Sequence, residues 1–166
     1  MKISNDRTES GVIIKTADLT DPDDCEAICS LINLYMQDSM GGNLRPHSEA
    51  RQKRLVCRLK TIPHCHIFIA VSESVPAGLA VCFEMFSTFA VKPLINIHDL
   101  IVHPSFRRRG VGKAIMEGIE SFAKRSGCSK LTLEVRGDNY KAQNLYRKQG
   151  YDECDPPMLF WSKEIC

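Results

Sequence analysis

The feature that most constrains the fold is a β-rich run that leads through a basic, glycine-containing loop into an amphipathic helix. The run covers residues 94–102, and the loop follows His103-Pro104. Apolar residues then recur at helical spacing as far as Gly127, which stands where a C-terminal cap is expected. These apolar residues are Val111, Ile115, Ile119, Phe122 and Ala123. A strand that feeds such a helix predicts a sheet that helices cover.

The rest of the chain shows the same two periodicities. In chain order we predict a strand at 12–16, helices at about 21–41 and 48–60, strands at 67–72, 77–86 and 94–102, a helix from 111, a strand at 131–136, a helix at 139–149, and strands near 151–154 and 158–163. The expected fold class is α/β (α+β), with a mixed central sheet and about four flanking helices.

Composition limits the classes of protein that this chain can belong to. It has 166 residues, of which 43% are apolar and 25% charged, as expected for one domain over 1–166 with a polar leader at 1–10. The net charge of +2 is too small to indicate nucleic-acid binding by bulk electrostatics. Without a signal-like or membrane-spanning apolar run, we expect a cytoplasmic protein with reduced thiols.

The loop before the best helix has the chemistry of an anion site. It reads Arg107-Arg-Arg-Gly-Val-Gly-Lys113, and there is no acidic residue between Leu100 and Met116. The first N–H groups of a helix lack internal acceptors, and the helix dipole places partial positive charge there. The segment therefore predicts a phosphate site at this strand-to-helix joint.

Two common phosphate motifs do not fit. A P-loop needs Ser or Thr after its lysine, but Ala114 follows Lys113. The dinucleotide fingerprint needs a third glycine where Ile115 stands. Neither Mg-nucleotide nor NAD or FAD binding is therefore indicated.

Residues 99–114 instead resemble the signature of the GNAT superfamily of N-acetyltransferases, (Gln/Arg)-x-x-Gly-x-(Gly/Ala) after a strand that ends V-x-P. Arg107, Gly110 and Gly112 fit this pattern. A second segment, Leu131-Thr-Leu-Glu-Val135 followed by Asn139-x-x-Ala142-x-x-x-Tyr146-x-x-x-Gly150-Tyr151, resembles the strand and helix that follow in that family. The specific match spans residues 94–152.

The resemblance implies acetyl-CoA as donor and no metal. The pyrophosphate would meet backbone N–H groups of residues 109–113, and the pantetheine arm would lie where the fourth and fifth predicted strands splay apart. Asn139 would either contact the arm or cap the last helix. The implied cofactor-binding residues are Ile101, Val102, Arg107, Arg108, Arg109, Gly110, Val111, Gly112, Lys113, Asn139, Ala142 and Tyr146.

The resemblance also places Tyr146 at the general-acid position, the alternative being a core tyrosine. For the general base, His98, Asp99 and Glu84 are candidates. On strand period, His98 shares a face with Leu100 and Val102 while Asp99 points the other way, and a bulge would reverse this. Imidazole is suited to accept a proton near neutral pH, which slightly favours His98.

The acceptor is expected to be the amine of a small molecule or a peptide, with no nucleic-acid or membrane partner, and a homodimer is left open. Four carboxylates could hold a cationic acceptor: Asp38, Glu84, Glu153 and Asp155. The alternative to an enzyme is a CoA-binding sensor without catalysis. A third interpretation is RNA or DNA contact through Arg107–Arg109.

Overall fold

A computed structural model of the protein describes residues 6–7 and 11–165. Its central feature is a six-stranded sheet in the order β1-β2-β3-β4-β5-β6. Neighbouring strands from β1 to β5 run antiparallel, and β5 and β6 run parallel. The strands are β1 Asp6–Arg7, β2 Ile13–Thr16, β3 Cys65–Ser72, β4 Val75–Ser87, β5 Lys92–Val102 and β6 Leu131–Leu133.

Four α-helices flank the sheet: α1 Pro22–Gln37, α2 Glu49–Leu59, α3 Val111–Arg125 and α4 Tyr140–Lys148. Helix α1 begins where Asp21 accepts a hydrogen bond from the Asp23 N–H at 3.0 Å, and α3 is followed by Gly127 at φ +69°. None of the helices among the described residues is both long and apolar enough to cross a bilayer.

The sheet separates two apolar clusters, as alternation along the strands requires. In β3, Phe68 and Ala70 pack with α3, whereas Ile67 and Ile69 pack with α1 and α2. The α3 side contains the predicted helical stripe, including Ile115 and Ile119 at 0% exposure. The predicted mixed sheet covered by helices is confirmed, and the predicted splay between the fourth and fifth strands lies here between β5 and β6.

The two strands predicted near 151–154 and 158–163 are wrong. The structure describes no strand between residues 151 and 165, and Leu159, Phe160 and Trp161 are 75%, 83% and 84% exposed. Apolar and aromatic residues favour a strand only where a neighbouring strand completes the hydrogen bonds, and the sheet of the described chain ends at β6. The strand predicted at 131–136 is also shorter and ends at Leu133.

Within the predicted polar leader, Asp6–Arg7 pair with Ile13–Ile14 as β1. Residues 1–5 and 8–10 lie outside the described residues.

The close packing of α3 on the sheet requires a glycine in β4. A Cβ at Gly78 would lie 2.8 Å from the Ile101 carbonyl oxygen and 2.8 Å from Ile115 Cδ1. The first neighbour is backbone of the adjacent strand and cannot rotate away. Gly78 therefore lets α3 approach the sheet at the point where β5 leads into the loop.

We predict that Gly78→Ala lowers the free energy of unfolding by about 1–3 kcal/mol, because the added methyl overpacks the contact between β4, β5 and α3. Urea unfolding followed by circular dichroism measures this. Gly137→Ala is the matched control, since a Cβ there meets nothing within 4 Å. Equal midpoints for Gly78→Ala and the wild type would contradict the packing argument.

Candidate active site

The candidate site lies where β5 and β6 separate. The two strands pair over three positions only, Ile95 with Leu131, Asn96 with Thr132 and Ile97 with Leu133. Beyond them β5 continues along β4 to Val102, and the chain after Leu133 leaves the sheet. A cleft of about 130 Å³ opens there, lined by Tyr35, Met40, Ile97, His98, Leu100, Glu134, Val135, Arg136, Asn139, Ala142 and Tyr146.

The register of β5 decides which main-chain groups face this opening. The His103 N–H donates to the Ala77 carbonyl at 2.9 Å, so the main-chain hydrogen-bonding groups of His103 face β4. The main-chain N–H and C=O groups of successive residues face alternate sides of a strand. Those of Ile101 therefore also face β4, and those of Leu100 and Val102 face the open side. The main-chain groups of Ile101 therefore do not face the opening as expected, and its side chain is buried near α1.

A β-bulge changes the faces of the residues near the opening. Asp99 pairs with Val81 and Ile97 with Cys82, so His98 is the extra residue. Leu100 consequently packs on the same side as Ile97, toward α3, and Asp99 lies opposite Val81, toward α1 and α2. The face sharing predicted for His98 with Leu100 and Val102 is wrong. The bulge foreseen as the alternative is present, and it places Asp99 on the same side of the sheet as His98 and Phe83.

His98 and Asp99 occupy different depths of the site. The His98 side chain lines the cleft, and its ring lies 5.5 Å from that of Phe83 in an edge-on arrangement. Asp99 is half-buried, and burial raises the pKa of its carboxyl group, an effect that the neighbouring His98 opposes. Glu84 does not line the cleft: its carboxylate lies 3.5 Å from His66, and it pairs with Ile95 of the α3 cluster.

Tyr146 projects from α4 into the cleft, as predicted. Burial raises the pKa of its phenol to about 12, and the neighbouring Tyr35 contributes. Burial, with the carboxylates of Asp99 and Asp38, also raises the pKa of Tyr35. At neutral pH both phenols are therefore protonated and can donate hydrogen bonds into the cleft.

Helix α4 is held in place by a cap and by a close contact. The Asn139 side chain accepts a hydrogen bond from the Ala142 N–H at 3.2 Å, so the capping role foreseen for Asn139 is present. At the next turn, a Cβ on Gly112 would lie 3.0 Å from Leu145 Cδ2. Gly112 thus lets α4 pack on the start of α3, a function that the sequence did not indicate.

The loop before α3 presents main-chain donors to solvent. Arg108 and Gly110 both have positive φ, at +65° and +81°, and the first hydrogen bond of the helix runs from the Ala114 N–H to the Gly110 carbonyl at 2.9 Å. The N–H groups of the first helical turn, which includes Val111, Gly112 and Lys113, therefore have no acceptor inside the helix. Successive N–H groups in such a backbone conformation are suited to bind an anion.

Three of the four basic side chains in this segment lie beside carboxylates, two of which the sequence did not indicate. Arg107 donates to Asp38 at 2.8 Å, Arg109 to Glu73 at 3.2 Å, and Lys113 lies 3.5 Å from Glu117. Asp38 and Glu73 lie far from Arg107 and Arg109 in the sequence, and no local sequence pattern predicts these two contacts. The carboxylates suggested for a cationic acceptor are thus partly engaged elsewhere: Asp38 with Arg107, Glu84 with His66, and Glu153 with Arg147.

Sequence reasoning also missed four residues that line the cleft: Tyr35, Met40, Ile97 and Arg136. Tyr35 belongs to the apolar stripe of α1, where a phenol is not distinguished from a core aromatic residue. Glu134 reaches Asn96 Nδ2 at 3.3 Å from the point where β6 ends. Within the described part of the chain, no group of three or more His, Cys, Asp and Glu side chains could hold a metal ion.

Comparison with known proteins agrees with this architecture. The sequence model of the acetyltransferase (GNAT) family matches residues 28–151. The chain is 28% identical over 130 residues to the uncharacterized N-acetyltransferase YhfO of Bacillus subtilis, covering 78% of this chain and 85% of that protein. It is 24% identical over 103 residues to aminoglycoside N(6')-acetyltransferase type 1 of Salmonella typhimurium, covering 60% and 70%.

Among solved structures, the aminoglycoside acetyltransferase meta-AAC0020 from an uncultured soil metagenomic sample, in complex with sisomicin, has the same fold. It superposes with a TM-score of 0.77 at 18% identity and covers 93% of this chain and 97% of its own. The family match extends over most of the chain and includes both the loop before α3 and the helix that carries Tyr146. The chain belongs to the GNAT acetyltransferase family and is an N-acetyltransferase.

Proposed function

We propose that this enzyme transfers the acetyl group of acetyl-CoA to a primary amine of a small molecule, by direct attack on the thioester, with Tyr146 as general acid. The observation that carries the proposal is the cleft between β5 and β6, with the Tyr146 side chain in its wall.

Two features support acetyl-CoA as the donor. The loop before α3 offers unpaired N–H groups to a pyrophosphate. The open edge of β5 offers main-chain groups of Leu100 and Val102 to an amide-bearing chain laid along it, in the manner of an added strand. Both features lie at the same end of β5, so one extended molecule can use them together.

The reaction forms one bond and breaks one. The amine lone pair attacks the thioester carbonyl carbon, the resulting oxyanion collapses, the carbon–sulfur bond breaks, and the thiolate leaves with the bonding pair. The amine nitrogen loses one proton to a base, and the sulfur gains one. A main-chain N–H on the open edge of β5, such as that of Val102, is suited to stabilise the oxyanion.

The pKa of Tyr146 defines how it acts. A phenol of pKa about 12 that protonates a thiolate of pKa about 8.5 faces a difference of about 3.5 units, or about 4.8 kcal/mol. Before the carbon–sulfur bond breaks, the sulfur is a far weaker base than a free thiolate, so transfer ahead of cleavage is more unfavourable still. Tyr146 instead donates a hydrogen bond that strengthens as charge develops on the sulfur, and the proton moves as the bond breaks.

His98 is the proposed base. Its imidazole lines the same cleft as Tyr146, whereas Asp99 is not among the residues that line it. A base matters more for alkylamines, because presenting an amine of pKa about 10.4 in neutral form at pH 7 costs about 4.6 kcal/mol, against about 1.4 kcal/mol for an α-amine near 8.

A small-molecule acceptor is supported by the aminoglycoside acetyltransferases among the relatives and by the narrow cleft. The test is release of free thiol from acetyl-CoA, with sisomicin and an alanine-terminated hexapeptide as acceptors. We expect faster release with sisomicin. Faster release with the peptide would contradict the small-molecule assignment, and calorimetric binding of acetyl-CoA without amine-dependent thiol release would indicate a sensor.

We predict that Tyr146→Phe lowers kcat by about 100-fold or more, because it removes the proton donor and retains the ring. The affinity for acetyl-CoA, measured by calorimetry, should change less than about twofold. Tyr140→Phe is the matched control, since Tyr140 lies on the same helix and is 69% exposed. An unchanged kcat in Tyr146→Phe would remove the assignment.

We predict that the acidic limb of the kcat/KM pH profile disappears in His98→Ala and persists in Asp99→Asn. A base acts in its deprotonated form, so activity is lost as the pH falls through its pKa. If Asp99 were the base, its raised pKa would place the limb above the usual carboxylate range, and Asp99→Asn would abolish it. That result would transfer the role to Asp99.

A further inference from the structure

The side chain of Arg107 does not extend into the anion-binding loop. Its guanidinium donates to the Asp38 carboxylate at 2.8 Å through one nitrogen and to the Val102 carbonyl at 3.2 Å through Nε. The first contact joins the loop before α3 to the end of α1, and the second holds the guanidinium at the end of β5. The hydrogen bond from Arg107 also lowers the pKa of the Asp38 carboxyl group.

Asp38 begins a tight turn, residues 38–41, which follows α1 at the edge of the cleft. Its side chain accepts from the Met40 N–H at 2.8 Å, and its carbonyl accepts from the N–H groups of Gly41 and Asn43 at 3.0 and 3.1 Å. A Cβ on Gly41 would collide with the Tyr35 carbonyl, so the turn lies directly on the last turn of α1. Tyr35, in the last turn of α1, and Met40, in the 38–41 turn, both line the cleft.

A second arginine reaches the same turn from the other side of the opening. Arg136, which follows β6, forms two hydrogen bonds with Asp138 at 2.9 and 2.7 Å, and its Nη1 lies 3.5 Å from the Ser39 carbonyl. The 38–41 turn is thus contacted from the end of β5 and from the segment after β6. These are the two chain segments that diverge to form the cleft.

We propose that Arg107 is a positioning residue for the acceptor side of the site, and that it holds the 38–41 turn, with Tyr35 and Met40, as the wall against which the amine binds. This inference rests on the proposed function and assigns a different role to a residue of the phosphate-binding motif. Arg107 acts on the acceptor wall through Asp38, and the main-chain N–H groups of the loop are left to the donor.

The neighbouring Arg109 makes a matched comparison possible. It lies in the same loop and carries the same charge, but its guanidinium pairs with Glu73 at 3.2 Å and lies 5.5 Å from the centre of the Phe106 ring. The variants are Arg107→Gln, Asp38→Asn and their double mutant, with Arg109→Gln and Glu73→Gln as controls. Asp38→Asn keeps an oxygen that can cap Met40 and removes the charge.

Hydrogen exchange of the peptide 35–44, read by mass spectrometry, tests the contact without any substrate. We expect about fivefold faster exchange in Arg107→Gln and in Asp38→Asn, since loss of one partly exposed ion pair is worth about 1 kcal/mol. The double mutant should match the single mutants, because all three lack the same contact. Both controls should match the wild type. Unchanged exchange, or an additive effect in the double mutant, would overturn the proposal.

Two binding measurements separate the acceptor wall from the donor site. We expect Arg107→Gln and Asp38→Asn to raise the KM for sisomicin about fivefold and to change the calorimetric Kd of acetyl-CoA by less than about twofold. If Arg107→Gln weakens acetyl-CoA by more than about twofold, Arg107 is a phosphate ligand and the proposal is wrong. Absence of thiol release in the wild type would instead refute the proposed function, and the exchange experiment would still decide the Arg107–Asp38 contact.

Discussion

The separation of β5 from β6 after three residue pairs is the constraint on which the site depends. While paired, the strands satisfy each other's main-chain groups and bury Asn96 between Thr132 and Glu134. Beyond Ile97, no strand of the described residues pairs with this edge of β5, and its polar groups need another partner. The family signature lies at the two ends of this gap, with the basic loop at the end of β5 and Tyr146 across from it.

The bulge at His98 decides which side chains of β5 face each side of the sheet near the cleft. One extra residue in β5 reverses the faces of all residues that follow it, so that Leu100 packs toward α3 and Asp99 toward α1. The bulge therefore places Asp99 on the same side of the sheet as His98, whose ring meets Phe83 of the cluster near α1 and α2. Without it, Asp99 would point toward α3, opposite to His98.

The glycines and arginines of the motif serve packing as well as binding. Gly112 admits Leu145 of α4, and Gly78 admits α3 against the sheet, so two glycines set how closely the elements around the cleft approach one another. The guanidinium of Arg107 ties the end of β5 to the 38–41 turn. The segment 107–113, whose sequence predicts a phosphate site, thus also connects the donor side of the proposed site with its acceptor side.

The sequence by itself determined the succession of helices and central strands, the loop that opens α3, and His98 as a candidate, because each depends on local periodicity within a short segment. Tyr146 became a candidate through the resemblance of residues 131–151 to the family. Only the tertiary structure decided the bulge in β5, the partners of Arg107 and Arg109, the presence of Tyr35 in the cleft, and the absence of strands after residue 150 in the described chain. The physical reason is that each of these depends on what lies beside a residue in space. A strand needs a neighbour to bond, and an ion pair needs a partner that the folded chain delivers from far along the sequence.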